Sequence, residues 1–316
     1  MTRPTGAAID LGSTSVHLLV ARPEPAGLMV LNDESAFLGL GAAVDATGTL
    51  GPAGRATLVT TVATYVERAR DLGAARPIIM GTEPFRRLAD ATRIVAEVSA
   101  ATGSPMAILE HEEEALLTLV GLAAGHVVQA DLLVVDVGGG SSELVEIGPD
   151  RRAAAAGVQV GAGRLTRRIV DRDPPTLEQL AELRRAANEA FAWTPICLPA
   201  ELVFVGGTAS NLLKLVRRAG DANHDDRLDR RALAAVRDTV LATPAEMLAA
   251  TYGMREARIR LLPAGAAIIE TVLDRVGMEF GRVVDTGIRE GAIIAADRAG
   301  EDWRDRLEEL AHGWIG

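Results

Sequence analysis

The chain of 316 residues has one cysteine, Cys197, and one lysine, Lys214. A lone thiol excludes an internal disulfide framework. Cys197 has no CxxC partner, and neither His17 nor His111 has a second ligand at zinc-like spacing, which excludes a soft-metal centre. No apolar run approaches the roughly 20 residues of a membrane helix; even LLVVDV is broken by an acid. No charged-then-apolar leader precedes the strand-like AAIDL, so the sequence reads as cytoplasmic, with no membrane partner. The net charge of -10 argues against nonspecific nucleic-acid binding, which uses a broad basic surface to displace counterions. A polyanionic ligand therefore needs a locally positive site. Nearly all positive charge is arginine, a bias that genome composition produces as readily as phosphate recognition does.

A hydrophobic content of 48% allows a sizeable core, and the length suggests two domains. The main organising feature is an internal repeat. AIDLGSTSVHLLV and VVDVGGGSSELVE share an apolar strand ending in Asp, a small-residue turn and a second strand, with Asp10 and Asp136 heading the two turns. The separation is about one domain length, which implies a duplicated module with one turn per domain. Helical periodicity is expected over residues 57–72, 89–102, 176–191 and 230–243, and through AGAAIIETVLDRV and REGAIIAADRA. Strands are expected at PIIM, LVFV and RVVD. The first domain is placed at residues 1–125 and the second at 126–301. A tail at 302–316, with Trp303, Leu307, Leu310 and Trp314 at helical spacing, is expected to pack back on the first.

Small-residue turns after strands expose backbone N–H groups that can hold phosphate oxygens; Gly12, Ser13, Gly138 and Gly139 are candidates. One such turn is ordinarily just a hairpin, whereas two matched copies favour a shared ligand. Asp10 and Asp136 end apolar strands, where a carboxylate needs a metal, an amide or water. Each alone serves equally well as a turn acceptor. Their repetition favours a metal site, and oxygen-only ligands suit Mg2+, with Mn2+ as the alternative. Glu143 opens the outgoing strand, placed to position water or a hydrated metal, or simply to face solvent. Glu110, Glu112, Glu113 and Glu114 precede ALLTLVGLAAG. Acids at a helix start complement its dipole; beside a phosphate, one of them can take a proton from attacking water, and spacing does not choose which. MGTEPFRRLAD offers Thr82 and Arg86 to an oxyanion. VGGTASN offers Gly207 and Thr208 at a helix start, with Lys214 further along. GAGRLTRR places Arg164, Arg167 and Arg168 in a local positive patch.

Taken together, these segments resemble the exopolyphosphatase/guanosine pentaphosphate phosphohydrolase (Ppx/GppA) family, in its short two-domain form and over nearly the whole chain. The resemblance rests on IDLGSTS at Ile9–Ser15, DVGGGSSE at Asp136–Glu143, HEEEA, VQVGAGRLT, LPAGAAI and GIREG. It implies an α/β fold of duplicated ribonuclease-H-like domains, as in actin, sugar kinases and Hsp70, with an interdomain cleft. It assigns the catalytic glutamate to Glu114, adds Thr14, Ser15, Gly140 and Ser141 to the phosphate-binding turns, and gives Thr82 and Arg86 to the substrate. The implied activity is release of terminal orthophosphate from inorganic polyphosphate, or of the 5'-phosphate from guanosine pentaphosphate. Magnesium, a monovalent cation and a homodimer are implied with it. An actin-like kinase and a non-catalytic polyphosphate or guanosine-polyphosphate sensor are the alternatives. Thr14 departs from the usual Asn, Glu83-Pro84 from small residues, Glu110-His111 from Ser-Gly, and Arg260 from an often acidic position. Glu83 is expected to repel a long polyanion.

Overall fold

The computed structural model describes residues 3–25, 27–124, 131–150, 152–191, 195, 198–219 and 226–312. Cys197, Trp314 and the expected boundary at residues 125/126 lie outside these residues. The chain forms two compact units, Met1–Gln129 with Thr286–Gly316, and Ala130–Asp285.

Among the described residues, the first unit opens with β1 (Gly6–Leu11), β2 (Ser15–Glu24) and β3 (Gly27–Phe37). Then follow α1 (Leu40–Thr47), α2 (Gly51–Asp71), β4 (Ile78–Gly81), α3 (Glu83–Arg87), α4 (Ala91–Thr102), β5 (Met106–Ile108) and α5 (His111–Ala123). The sheet order is β3-β2-β1-β4-β5. The first three strands are antiparallel and β1, β4 and β5 run parallel. Ile9 and Leu11 on β1, and Val16, Leu18 and Val20 on β2, repeat every second residue and so share a face, which packs on Leu58, Val62 and Ile94 of the helices. α2 begins earlier than its hydrophobic period indicates, because Pro52 in its first turn supplies helical φ where no N–H is needed.

The second unit repeats the order. It comprises β6 (Leu132–Val137), β7 (Ser142–Ile147), β8 (Ala153–Val158), α6 (Ala162–Ile169), α7 (Leu177–Ala190), β9 (Glu201–Val205) and α8 (Gly206–Arg218). After these come β10 (Arg227–Asp229), α9 (Arg230–Ala242), α10 (Ala245–Tyr252), α11 (Glu256–Ile259), α12 (Leu262–Val276) and β11 (Phe280–Val283). Its sheet runs β10-β11-β9-β6-β7-β8. Read from the other edge, β8-β7-β6-β9-β11 matches β3-β2-β1-β4-β5 in order and direction, with β10 added antiparallel at the end. This is the duplicated ribonuclease-H-like, actin-type α/β fold, and each copy has its own aliphatic core.

α13 (Ile288–Ala299), a 3-10 turn at Gly300–Trp303 and α14 (Leu307–His312) are the last elements among the described residues. The sequence-based division leaves residues 286–301 with the second domain, whereas the structure places α13 in the first unit. The reason is a close approach through glycines. A Cβ built at Gly291 of α13 meets the Leu117 carbonyl oxygen of α5 at 1.9 Å, and one at Gly121 of α5 meets the Gly287 carbonyl oxygen at 2.6 Å. Trp303, Leu307 and Leu310 are buried in the same unit.

Gly291→Ala is therefore expected to destabilise the protein by roughly 1–3 kcal/mol, since backbone must move to admit the methyl group. Gly54→Ala, in α2, meets only an ordinary 3.5 Å contact and is expected to stabilise by about 0.5–1 kcal/mol. Urea unfolding of both variants checks the pair.

Candidate active site

The two glycine turns are built alike. In the first, Gly12 N–H donates to Ser15 O (3.1 Å); in the second, Gly138 N–H donates to Ser141 O (3.0 Å). The carbonyls of each turn are then taken by amides at the start of a helix. Gly41 and Gly39 donate to Ser13 O (2.8 Å) and Thr14 O (3.0 Å), and Ala162 and Arg164 donate to Gly138 O and Gly139 O (both 2.9 Å). A trans peptide points its N–H opposite its C=O. The amides of Thr14 and Ser15, and those of Gly139 and Gly140, consequently face away from the helices that hold the turns. Only glycine fits beneath the second turn: a Cβ at Gly161 falls 2.5 Å from Gly140 N.

The first turn is also tied by side chains. Ser13 Oγ donates to Glu83 Oε2 (2.6 Å), and Arg87 donates to Glu83 Oε1 (2.8 Å) and to Asp45 (2.5 Å). Glu83 is only 3% exposed, so the expected repulsion of a polyanion gives way to an internal tether whose charge Arg87 offsets. Glu83 and Asp45 raise the Arg87 pKa above the ordinary arginine value although burial acts the other way. Thr82 Oγ1 donates to Leu11 O (3.2 Å), which spends its hydrogen on the end of β1.

In the second unit Asp136 and Glu143 are direct partners across the β6–β7 ladder. Directly opposite residues of an antiparallel pair share a face, with Cβ atoms about 5 Å apart. Glu143 is buried (4% exposed). Gly206, at φ +84, leaves room for Asp136, whose Oδ1 would stand 2.1 Å from any Cβ there. Two hard oxygen donors fit magnesium, which commonly takes one or two carboxylates and completes its shell with water and phosphate. Among the described residues no group of three or more His, Cys, Asp or Glu side chains is placed to hold a metal ion by itself. In the first unit the partner of Asp10 is His17, so the duplication keeps the strand-end aspartate and exchanges the second carboxylate for an imidazole.

α5 sorts its four glutamates. Glu110 caps the helix, its N–H accepted by Glu113 Oε2 (2.8 Å), and Glu110 and Glu112 are exposed. Glu113 is clamped by Arg304, which also donates to Ile108 O (2.7 Å). Burial raises the Glu113 pKa, but the Arg304 hydrogen bond, the Glu110 amide and the charges of Arg304 and Arg86 leave it below the ordinary carboxylate value. Glu114 alone of the four is buried, and it accepts a charge-assisted hydrogen bond from Arg86. Arg86 also donates to Leu109 O (2.5 Å) and reaches His111 Nδ1 (3.0 Å). Sequence reasoning offers Arg86 to an oxyanion; in the structure its guanidinium meets Glu114, the Leu109 carbonyl and His111.

One cation near Asp10 was given no role by sequence. Arg289, at the start of α13 within GIREG, donates to Asp33 (2.6 Å). Burial opposes its charge, but Glu290, Asp33 and Asp10 raise its pKa above the ordinary arginine value. The remaining candidates have local partners of their own. Thr208 packs its methyl group over Gly265 of α12, Gly207 O accepts from Asn211 (2.5 Å), and Arg164 donates to Gln159 O (2.8 Å).

The model of the Ppx/GppA phosphatase family matches residues 19–297. The chain belongs to the Ppx/GppA phosphatase family. It is 31% identical over 313 residues to exopolyphosphatase 2 of Mycobacterium tuberculosis, covering 92% of this chain and 97% of that relative. Against a guanosine-5'-triphosphate,3'-diphosphate pyrophosphatase of Vibrio cholerae it is 26% identical, over 97% of this chain and 62% of that one. The Aquifex aeolicus Ppx/GppA family member superposes with a TM-score of 0.78 at 23% identity, covering 94% of this chain and 99% of that one. An exopolyphosphatase from Cytophaga hutchinsonii gives 0.81 at 19% identity, over 93% and 98%. These likenesses extend the fold shared by the Ppx/GppA family to this chain.

Glu83→Ala is expected to lower stability by about 2–4 kcal/mol, combining a lost buried acceptor with a cavity, and Glu83→Gln by less, because it still accepts from Ser13. Urea midpoints at neutral pH check the order. For Glu113, a depressed carboxylate pKa gives stability that is present above the unfolded value and lost as pH falls through the folded one. Glu113→Gln is therefore expected to lose about 0.2–1 kcal/mol at pH 7, a difference that vanishes on acidification below the carboxylate range, as thermal melts across pH would record.

Proposed function

We propose that this chain is an exopolyphosphatase that releases terminal orthophosphate from inorganic polyphosphate by attack of water. The observation that carries the reading is the buried Glu114 carboxylate held by Arg86 at the start of α5, in a chain whose glycine turns both present outward-facing amides. The family membership and the exopolyphosphatase relative supply the reaction class.

In this reading Glu114 accepts the proton of the attacking water, and Arg86 fixes the direction of its acceptor oxygen. The water oxygen bonds to the terminal phosphorus while the bridging P–O bond breaks, and the shortened chain leaves with the electron pair. Backbone amides of Thr14, Ser15, Gly139 and Gly140 hold phosphoryl oxygens, with Gly12, Ser13, Gly138 and Ser141 shaping the turns. Asp136 and Glu143, with Asp10, would hold Mg2+ or Mn2+, which supplies charge neutralisation of phosphoryl oxygens when bound. Gly207, Thr208 and Arg164 are assigned to the substrate, while Thr82 holds the end of β1 beside the first turn, and a monovalent cation, a homodimer and a cytoplasmic location complete the proposal. No helix among the described residues is long and apolar enough to cross a membrane.

Phosphate release is to be measured from polyphosphate and from guanosine pentaphosphate, with magnesium and after chelation. Magnesium-dependent release from polyphosphate is expected, with Glu114→Gln slowing it about 10²- to 10⁴-fold while polyphosphate binding stays within a few-fold. Release from guanosine pentaphosphate alone would replace the substrate assignment. Tight polyphosphate binding without turnover would replace catalysis by sensing, and unchanged turnover in Glu114→Gln would reject the base.

A further inference from the structure

His111 occupies the first position of α5, one turn before Glu114, and its Nδ1 lies 3.0 Å from Arg86 Nη2. A guanidinium carries five N–H donors, no acceptor, and does not lose its proton in proteins. The hydrogen between these two nitrogens therefore belongs to Arg86, and Nδ1 must be the acceptor. A neutral imidazole that accepts at Nδ1 carries its own hydrogen at Nε2.

Arg86 is thereby held from three sides: by the Leu109 carbonyl (2.5 Å) and Glu114 at Nη1, and by His111 at Nη2. The side chains of Arg86 and Glu114 are 11% and 8% exposed, so few solvent contacts compete. The Leu109 carbonyl and His111 fix the plane of the guanidinium, and that plane decides which lone pair of Glu114 the arginine takes. We propose that His111 is a positioning residue: acting through Arg86 as a neutral Nε2–H tautomer, it aims the Glu114 carboxylate. This rests on the reading of Glu114 as the base that receives the proton from water. His111 itself touches neither water nor phosphate in this scheme.

The test compares His111→Ala, which removes the acceptor, with His111→Asn, whose Oδ1 can take the place of Nδ1. In magnesium-dependent release of phosphate from polyphosphate, His111→Ala is expected to lower kcat about 10- to 100-fold, as misorientation of a catalytic group does, with KM within about twofold. His111→Asn is expected to recover most of that loss. In 15N spectra of the wild-type protein, Nδ1 is expected to be the unprotonated nitrogen. Three results would overturn the proposal: unchanged kcat in His111→Ala, equal impairment of both variants with both folded by thermal melting, or a protonated Nδ1. Wild-type turnover that survives Glu114→Gln would instead remove the reading on which it rests, while the nitrogen spectrum would still report the tautomer.

Discussion

Capture of the turn carbonyls by helix amides is the constraint on which the rest of the structure depends. Each turn presents its carbonyls to the first residues of a helix, Gly39 and Gly41 for one, Ala162 and Arg164 for the other. Amide planarity then fixes the neighbouring N–H groups without further expense. The arrangement needs backbone at close quarters, which explains the small residues at these places. At Gly161 a side chain of any size would collide with Gly140 N. The glycines are thus required by the contact beneath the turn as much as by whatever lies above it.

Duplication reproduces this frame in both units but distributes the chemistry unevenly. The strand order and the turn hydrogen bonds are repeated, yet the residue opposite the strand-end aspartate is Glu143 in one unit and His17 in the other. The second unit therefore concentrates hard oxygen donors. The first unit holds the buried Glu114 with Arg86, and sets Arg289 within electrostatic reach of Asp10. The repeated scaffold thus carries different functional groups in its two copies.

Much of this was legible in the sequence because the signals were periodic or repeated. α4, α7 and α9 end within two residues of their apolar periodicity, and the turns declare themselves by similarity to each other. β3 gives no such signal. As an edge strand with Met29, Val30, Leu31 and Phe37 exposed, it lacks the alternation of a half-buried strand. The membership of α13 in the first unit was equally hidden, since it depends on glycines 170 residues apart meeting Leu117 and Gly287. Among the glutamates of α5, spacing left the choice open; burial and the Arg86 contact separate Glu114 from its neighbours. Arg289 is not visible in the sequence because a helical arginine is ordinarily solvated, and only the structure shows its partners.

Three of the departures from the family pattern have internal partners. Glu83 is matched by Arg87 and Ser13, His111 by Arg86, and Arg260 by Asp173 (2.9 Å) and Glu256 (2.7 Å). A buried carboxylate such as Glu83 is tolerable only when donors replace its water. The near absence of lysine bears on how that is done. A planar guanidinium can serve a carboxylate and a carbonyl from one rigid fork, as Arg86 does with Glu114 and Leu109 O, and Arg304 with Glu113 and Ile108 O. An ammonium offers the same charge without the fork. Many arginines of this acidic chain are therefore spent holding its own backbone and carboxylates in place, and a count of positive charge overstates what remains for a polyanionic ligand.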